Sequence, residues 1–205
     1  MLASLVIDEA QKPAQKQQGV SVVFFYCRYL DSERSTFLGL ARGLLAQFLS
    51  QDDALLSHLH DRASTSGQTT LSTPSVAKDL LETSIRNCDK LYVVIDGLDE
   101  CERDERRQIV AFFEDIHASL PQDEADSLRC LFLSQDDNIA RKDFAKVPSL
   151  KITEAHTRND ILAYALPRSK EIQAKFGLTA DRQYDIYQTI VKKAEGRIPE
   201  PYHCT

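Results

Sequence analysis

The stretch Leu91-Tyr-Val-Val-Ile-Asp-Gly-Leu-Asp-Glu100 sets Asp96, Asp99 and Glu100 directly behind an apolar run. A carboxylate at the carboxyl end of a buried strand can hold Mg²⁺, usually through water, and the ion then bridges phosphate oxygens. A second acid a few residues on can orient or deprotonate an attacking water. Gly97 lets the chain turn sharply without a side chain crowding the metal. The same residues also make a plain strand-exit turn whose acids favour the N-terminus of the next helix. Alternating strands and helices around the run favour the metal reading.

Those carboxylates need elements to carry them. Leu2 to Ala10 reads as the tail of a helix, followed by a Gln-rich connection from Gln11 to Gly19. Val20 to Cys27 is short, apolar and rich in β-branched and aromatic residues, which predicts a buried strand. Phe37, Leu40, Ala41, Leu44, Leu45, Phe48 and Leu49 recur at three and four, a core-facing helix. A short helix is expected over Asp53 to His60, then a Ser/Thr-rich loop from Asp61 to Ser72. Thr73-Pro74 opens a helix that sets Val76, Leu80, Leu81 and Ile85 on one side. Leu91 to Ile95 is the second strand, and a charged helix from about Asp104 runs to Pro121. Leu131 to Leu133, extended by Arg129 and Cys130, is a third strand, and Leu150 to Ile152 a weak fourth. Helices are expected over Asn159 to Ala165, Ser169 to Phe176 and Ala180 to Glu195, the last capped by Thr179 and ended by Gly196. The alternation predicts an α/β fold with a mostly parallel sheet, and the tail from about Thr157 a helical subdomain.

The segment L-Y-V-V-I-D-G-L-D-E-C resembles the Walker B segment of NACHT domains, the ATP-driven switches of the STAND class of P-loop NTPases, in particular their fungal and nephrocystin-type N-terminal modules. Val22 to Cys27 is similar to that family's second strand, Phe37 to Leu49 to its following helix, and Leu128 to Gln135 to its sensor strand. Asn159 to Tyr164 resembles the start of its helical domain, and Ile190 to Gly196 a later helix there. The likeness runs from about Leu2 to Gly196, with Walker B as its most specific element. It implies that Asp96 is the magnesium acid, that Asp99 and Glu100 are the catalytic acidic pair with Glu100 activating water, and that Ser134 and Gln135 join Asp96 in binding the cofactor. The implied cofactors are Mg²⁺ and ATP. The implied domains are an incomplete nucleotide-binding core over 1–156, the start of a helical subdomain over 157–196, and a frayed tail over 197–205, whose prolines depart from the family.

The chain departs from the family where phosphate would be held. A P-loop reads G-x-x-x-x-G-K-[ST], and its amides and lysine cradle phosphates. Here there are seven glycines and none precedes a lysine. The resemblance places Leu2 to Ile7 just after that loop, so the loop and the central first strand before it are expected to be missing. In the implied sheet order that strand belongs between Cys130–Leu133 and 150–152; its loss predicts a rearranged or gapped sheet and marginal, aggregation-prone behaviour. Charge-assisted hydrogen bonds contribute about 1.5–3 kcal/mol each. Losing several predicts nucleotide binding weaker by orders of magnitude, so little ATP binding or hydrolysis is expected from the chain alone. Ser134-Gln135-Asp136-Asp137 stands where many relatives have Ser-Arg, which removes a phosphate-sensing cation. The alternative reading is a non-enzymatic module that docks on intact NACHT relatives.

Composition limits the remaining classes. The 205 residues carry 25 Lys plus Arg against 31 Asp plus Glu, a net charge of −6 that opposes nucleic-acid or anionic-membrane binding. No apolar run is long enough for a bilayer, and the start of the chain lacks a secretory leader, so a cytoplasmic protein with protein partners is expected. Five irregularly spaced cysteines predict reduced thiols, with Cys27 and Cys130 buried as small hydrophobes. His58, His60 and Asp61 match no metal-ligand spacing, and residues 102–107 (ERDERR) read as a solvated first helical turn.

Overall fold

The computed structural model describes residues 2–17, 19–51, 71–135, 142, 144 and 147–194. The helix expected at 53–60, the adjacent histidines and the tail after residue 194 lie outside them. The chain divides into two compact units, Met1–Val147 and Pro148–Thr205.

The first unit is built on three parallel strands in the order β1 (Val20–Tyr26), β2 (Lys90–Asp96), β3 (Leu128–Phe132). Among the described residues it carries the helices α1 (Leu2–Ala14), α2 (Phe37–Gln51), α3 (Pro74–Arg86) and α4 (Arg103–Ser119). β2 is central, and its in-register neighbours put Tyr26 beside Asp96 and Phe132 beside Ile95. Strand alternation splits the residues between two faces. Val23, Leu91, Val93 and Ile95 join Phe37, Leu40, Leu44 and Phe48 of α2, Leu80 and Leu81 of α3, and Ile109 and Phe113 of α4 in one apolar core. On the other face Val22 and Val94 are buried, and α1 packs on β1 and β2 with Ala3 and Ile7 buried. An edge-to-face series Phe37–Phe112–Phe113, with ring centroids 5.2 and 5.1 Å apart, continues to Phe132 on β3 at 5.9 Å.

The outer edge of β1 is closed by side chains. Gln47 of α2 accepts from the Phe24 amide at 3.0 Å and donates to the Phe24 carbonyl at 2.7 Å. One turn later Gln51 donates to the Val22 carbonyl at 3.0 Å. An i,i+4 pair of carboxamides thus stands where a fourth strand would bond. The outer edge of β3 differs. Leu133 donates to Ile95 and Ser127 accepts from Leu91, so the alternate positions Leu128, Cys130 and Phe132 turn their backbone groups away from β2. Among the described residues no strand pairs with that edge, and Leu131 is 38% exposed.

Several sequence expectations change. Leu150 to Ile152 forms no strand: no ladder partner exists for it among the described residues, and Leu150 is 88% exposed. α1 runs on through Pro13 to Ala14 rather than giving way to a connection at Gln11. In the second unit, the two helices expected on either side of Pro167 are one, α5 (Glu154–Phe176). Ile161, Ala165 and Ser169, four residues apart and all buried, tie one face together across the proline, whose local cost is one lost backbone bond. Gly177, at φ 62°, ends α5, and α6 (Ala180–Lys193) packs back on it, started by Thr179 as expected. Among the described residues, no helix is long and apolar enough to cross a membrane.

Candidate functional site

All three strands are parallel, so their carboxyl ends and exit loops meet at one edge of the sheet. β2 reaches that edge because Leu91, Val93, Val94 and Ile95 are buried, leaving Asp96 half-buried as its last residue. The Asp96 carbonyl accepts from the Cys27 amide at 2.8 Å, which prolongs the ladder one step past β1. Gly97 then turns the chain at φ 71° into a short 3₁₀ turn, Leu98–Glu100. A β-carbon at position 97 would stand 3.2 Å from the Cys27 carbonyl oxygen and 3.4 Å from Glu100 Cγ. Leu98 is fully buried and its amide donates to the Leu133 carbonyl at 3.1 Å, so the turn is anchored under the end of β3.

The carboxylates on this turn are engaged by backbone amides. Asp99 Oδ1 accepts from the Gln135 amide at 3.0 Å, tying in the exit of β3. Glu100 Oε2 accepts from the Tyr29 amide at 3.1 Å, tying in the exit of β1. Glu105, in the first turn of α4, accepts from the Phe37 amide at 2.6 Å and so satisfies an N-terminal donor of α2. Three acids thereby fasten three separate segments to the region behind β2. Charged acceptors make such bonds stronger than neutral pairs.

The sequence-predicted residues therefore lie in one place, although they do not act as one group. Asp99 and Gln135 are in direct contact, through the glutamine's backbone. Ser134 is exposed and donates to the Gln135 carbonyl at 3.1 Å. Among the described residues no hydrogen bond reaches the Asp96 carboxylate or Glu100 Oε1, and no cluster of three or more His, Cys, Asp or Glu is arranged to hold a metal ion. Asp96 could serve as a single magnesium ligand. That donor set fits an ion carried by phosphate and water, which commonly takes one or two carboxylates, and does not fit an ion caged by protein alone.

Two features were not read from the sequence. The charged run at residues 102–107 is not simply solvated: Glu105 is a part-buried acceptor for α2 and Arg106 is 4% exposed. Helical periodicity carried the signal, since Arg106 precedes Ile109, Val110 and Phe113 on the buried face of α4. The cysteines differ too. Cys27 is half-buried, whereas Cys101, at the end of the acidic turn, is the buried one. The influence of the Cys101 thiol, with burial second, pushes the Cys27 thiol far up. The influence of Cys27 in turn holds the Cys101 thiol below the ordinary value of 9.0, against the opposing effect of burial. Cys130, half-buried on β3, is pushed up to about 12 by desolvation.

The described residues thus form an α/β domain on a small parallel sheet, with an acidic turn joining its exit loops. Residues 1–135 match the family described as nephrocystin 3, N-terminal, and the chain belongs to that family. The chain is also 35% identical over 109 residues to the vegetative incompatibility protein HET-E-1 of Podospora anserina. That match covers 51% of this chain and only 8% of the fungal protein. No solved structure matches the chain.

Proposed function

We propose that these 205 residues supply the Walker B and sensor side of a NACHT-type, ATP-dependent signalling switch, and that alone they bind ATP weakly and hydrolyse it poorly. The observation supporting this is Asp96 at the carboxyl end of a buried central strand, followed by a turn whose other acids hold the neighbouring exit loops. Asp96 would carry Mg²⁺, which when bound offsets negative charge on the phosphates. Asp99 sets the distance between the acidic turn and Ser134-Gln135 through the Gln135 amide. Glu100 is oriented through Oε2 by the Tyr29 amide, which leaves Oε1 to orient a water. The sequence contains no G-x-x-x-x-G-K-[ST] segment, so the phosphate-binding amides and lysine must come from elsewhere.

Calorimetric titration of the chain with ATP, with and without Mg²⁺, tests this. Affinity no tighter than about 1 mM, corresponding to roughly −4 kcal/mol, is expected. Micromolar binding would overturn the proposal.

A second reading is favoured by the outer edge of β3, which no strand pairs among the described residues. An unpaired parallel edge with an exposed leucine can accept a strand from another polypeptide. On this reading the chain docks on intact relatives and modulates their assembly. Co-purification with such a relative, lost on Leu131→Lys, supports docking; no association at micromolar concentrations rejects it.

A further inference from the structure

The acidic turn lies at the carboxyl end of the sheet, and the opposite end holds a cavity. Its volume is about 740 Å³, and its walls come from the end of α1, the start of β1, α2, and the connection from α3 to β2. The length of β2, about 20 Å of strand, separates it from Asp96. Cavities of roughly 300–1,000 Å³ are the size that takes small organic molecules.

The lining is chemically one-sided. Gln11, Gln15, Gln51 and Asn87 contribute carboxamides, Asp89 contributes a carboxylate, and Val22 and Phe48, both buried, form an apolar wall. Among the described residues that line it there is no Lys, Arg or His. The carboxylate is laid against the backbone: Asp89 Oδ2 stands where a β-carbon at Gly19 would go, and Gly19 itself sits at φ 83°. The Gly19 carbonyl accepts from the Lys90 amide at 3.0 Å, which ties this corner to the start of β2. Gln51 is held by donating to the Val22 carbonyl at 3.0 Å. Two helices, α1 and α3, end at the cavity, and each adds the partial negative charge of its last carbonyls. The cations nearest in sequence are occupied elsewhere: Lys12 pairs with Glu9, Arg86 with Glu82, and Lys90 lies over the Tyr92 ring. Lys16 is exposed and does not line the cavity.

We propose that this cavity binds a small organic cation, an amidinium, guanidinium or ammonium group carried on an apolar body. The N–H donors of the cation meet Asp89, the carboxamide oxygens and the helix-end carbonyls, while the apolar body lies on Val22 and Phe48. An anion would face a carboxylate and two helix ends of its own sign, so phosphate is disfavoured here. A bare metal ion would leave most of the volume unfilled. The inference concerns the end of the sheet away from Asp96 and stands independently of the nucleotide reading.

The full chain, isotopically labelled and followed by NMR, is titrated with benzamidine, benzamide and benzoate, three probes of nearly the same shape that are cationic, neutral and anionic. Benzamidine should bind saturably, with amide shifts centred on Gln11, Gly19, Gln51 and Asn87, and about tenfold tighter than benzamide. Benzoate should not bind. Asp89→Asn, at an exposed position, should weaken benzamidine about fivefold and leave benzamide unchanged. Gln15→Lys, also at an exposed position, brings a cation to the rim and should weaken benzamidine without lowering the unfolding temperature. The proposal is overturned if benzoate or benzamide binds as tightly as benzamidine, or if the shifts fall around Asp96 to Glu100 instead. It is equally overturned if benzamidine does not saturate by about 10 mM, or if neither variant alters its affinity.

Discussion

Replacing Gly97 with alanine tests the turn on which the candidate site depends. Position 97 sits at φ 71°, where an L-residue with a β-carbon is disfavoured by roughly 1–2 kcal/mol. The new methyl would also come within 3.2 Å of the Cys27 carbonyl oxygen, closer than ordinary van der Waals contact. That oxygen belongs to backbone whose amide is bonded to Asp96, so it yields little. Alanine stabilises in the opposite sense by restricting the unfolded chain, by about 0.4–1 kcal/mol. The net expectation is a loss of about 1 kcal/mol, or about fivefold in the folding equilibrium. In a urea titration that is a fall in midpoint of roughly 0.3–1 M at unchanged slope. Gly97→Asn should recover part of the loss, because asparagine tolerates the left-handed region. Gly177→Ala serves as a comparison: its φ is 62°, but nothing lies within 4 Å of a β-carbon there, so it carries the backbone cost without the contact. A Gly97→Ala midpoint equal to or above that of the native protein would refute the account of the turn.

Gln47→Ala removes the carboxamide that serves both backbone groups of Phe24, and should destabilise the first unit by about 1 kcal/mol. Amide hydrogen exchange should show it most strongly at Phe24; unchanged exchange there would mean that water replaces Gln47 at no cost. Desolvation raises the Cys130 thiol from 9.0 to about 12, so the folded chain keeps this proton after the unfolded chain has lost it. The associated stability is intact below about pH 9 and declines as pH rises towards about 12. Cys130→Ala should flatten that part of a stability-against-pH curve, and an unaltered slope would rule out Cys130 as its source.

The sequence by itself determined the alternating elements and the position of the acids. Burial of β2 is written in five consecutive apolar residues, and Asp96 follows the last of them whatever the rest of the chain does. The helical spacing of α2 and α4 and the Thr-Pro start of α3 are equally local, and these survive into the structure. What each carboxylate oxygen is bonded to was decided only by the tertiary structure, because the partners are distant in sequence. Tyr29 reaches Glu100, Gln135 reaches Asp99 and Phe37 reaches Glu105 through packing of strands and helices that no local pattern encodes. The same holds for the glutamines that close the edge of β1. The helix through Pro167 and the missing ladder at Leu150 to Ile152 share that cause. A proline's local cost is outweighed when a buried face spans it, and a short apolar run becomes a strand only where another strand offers its edge.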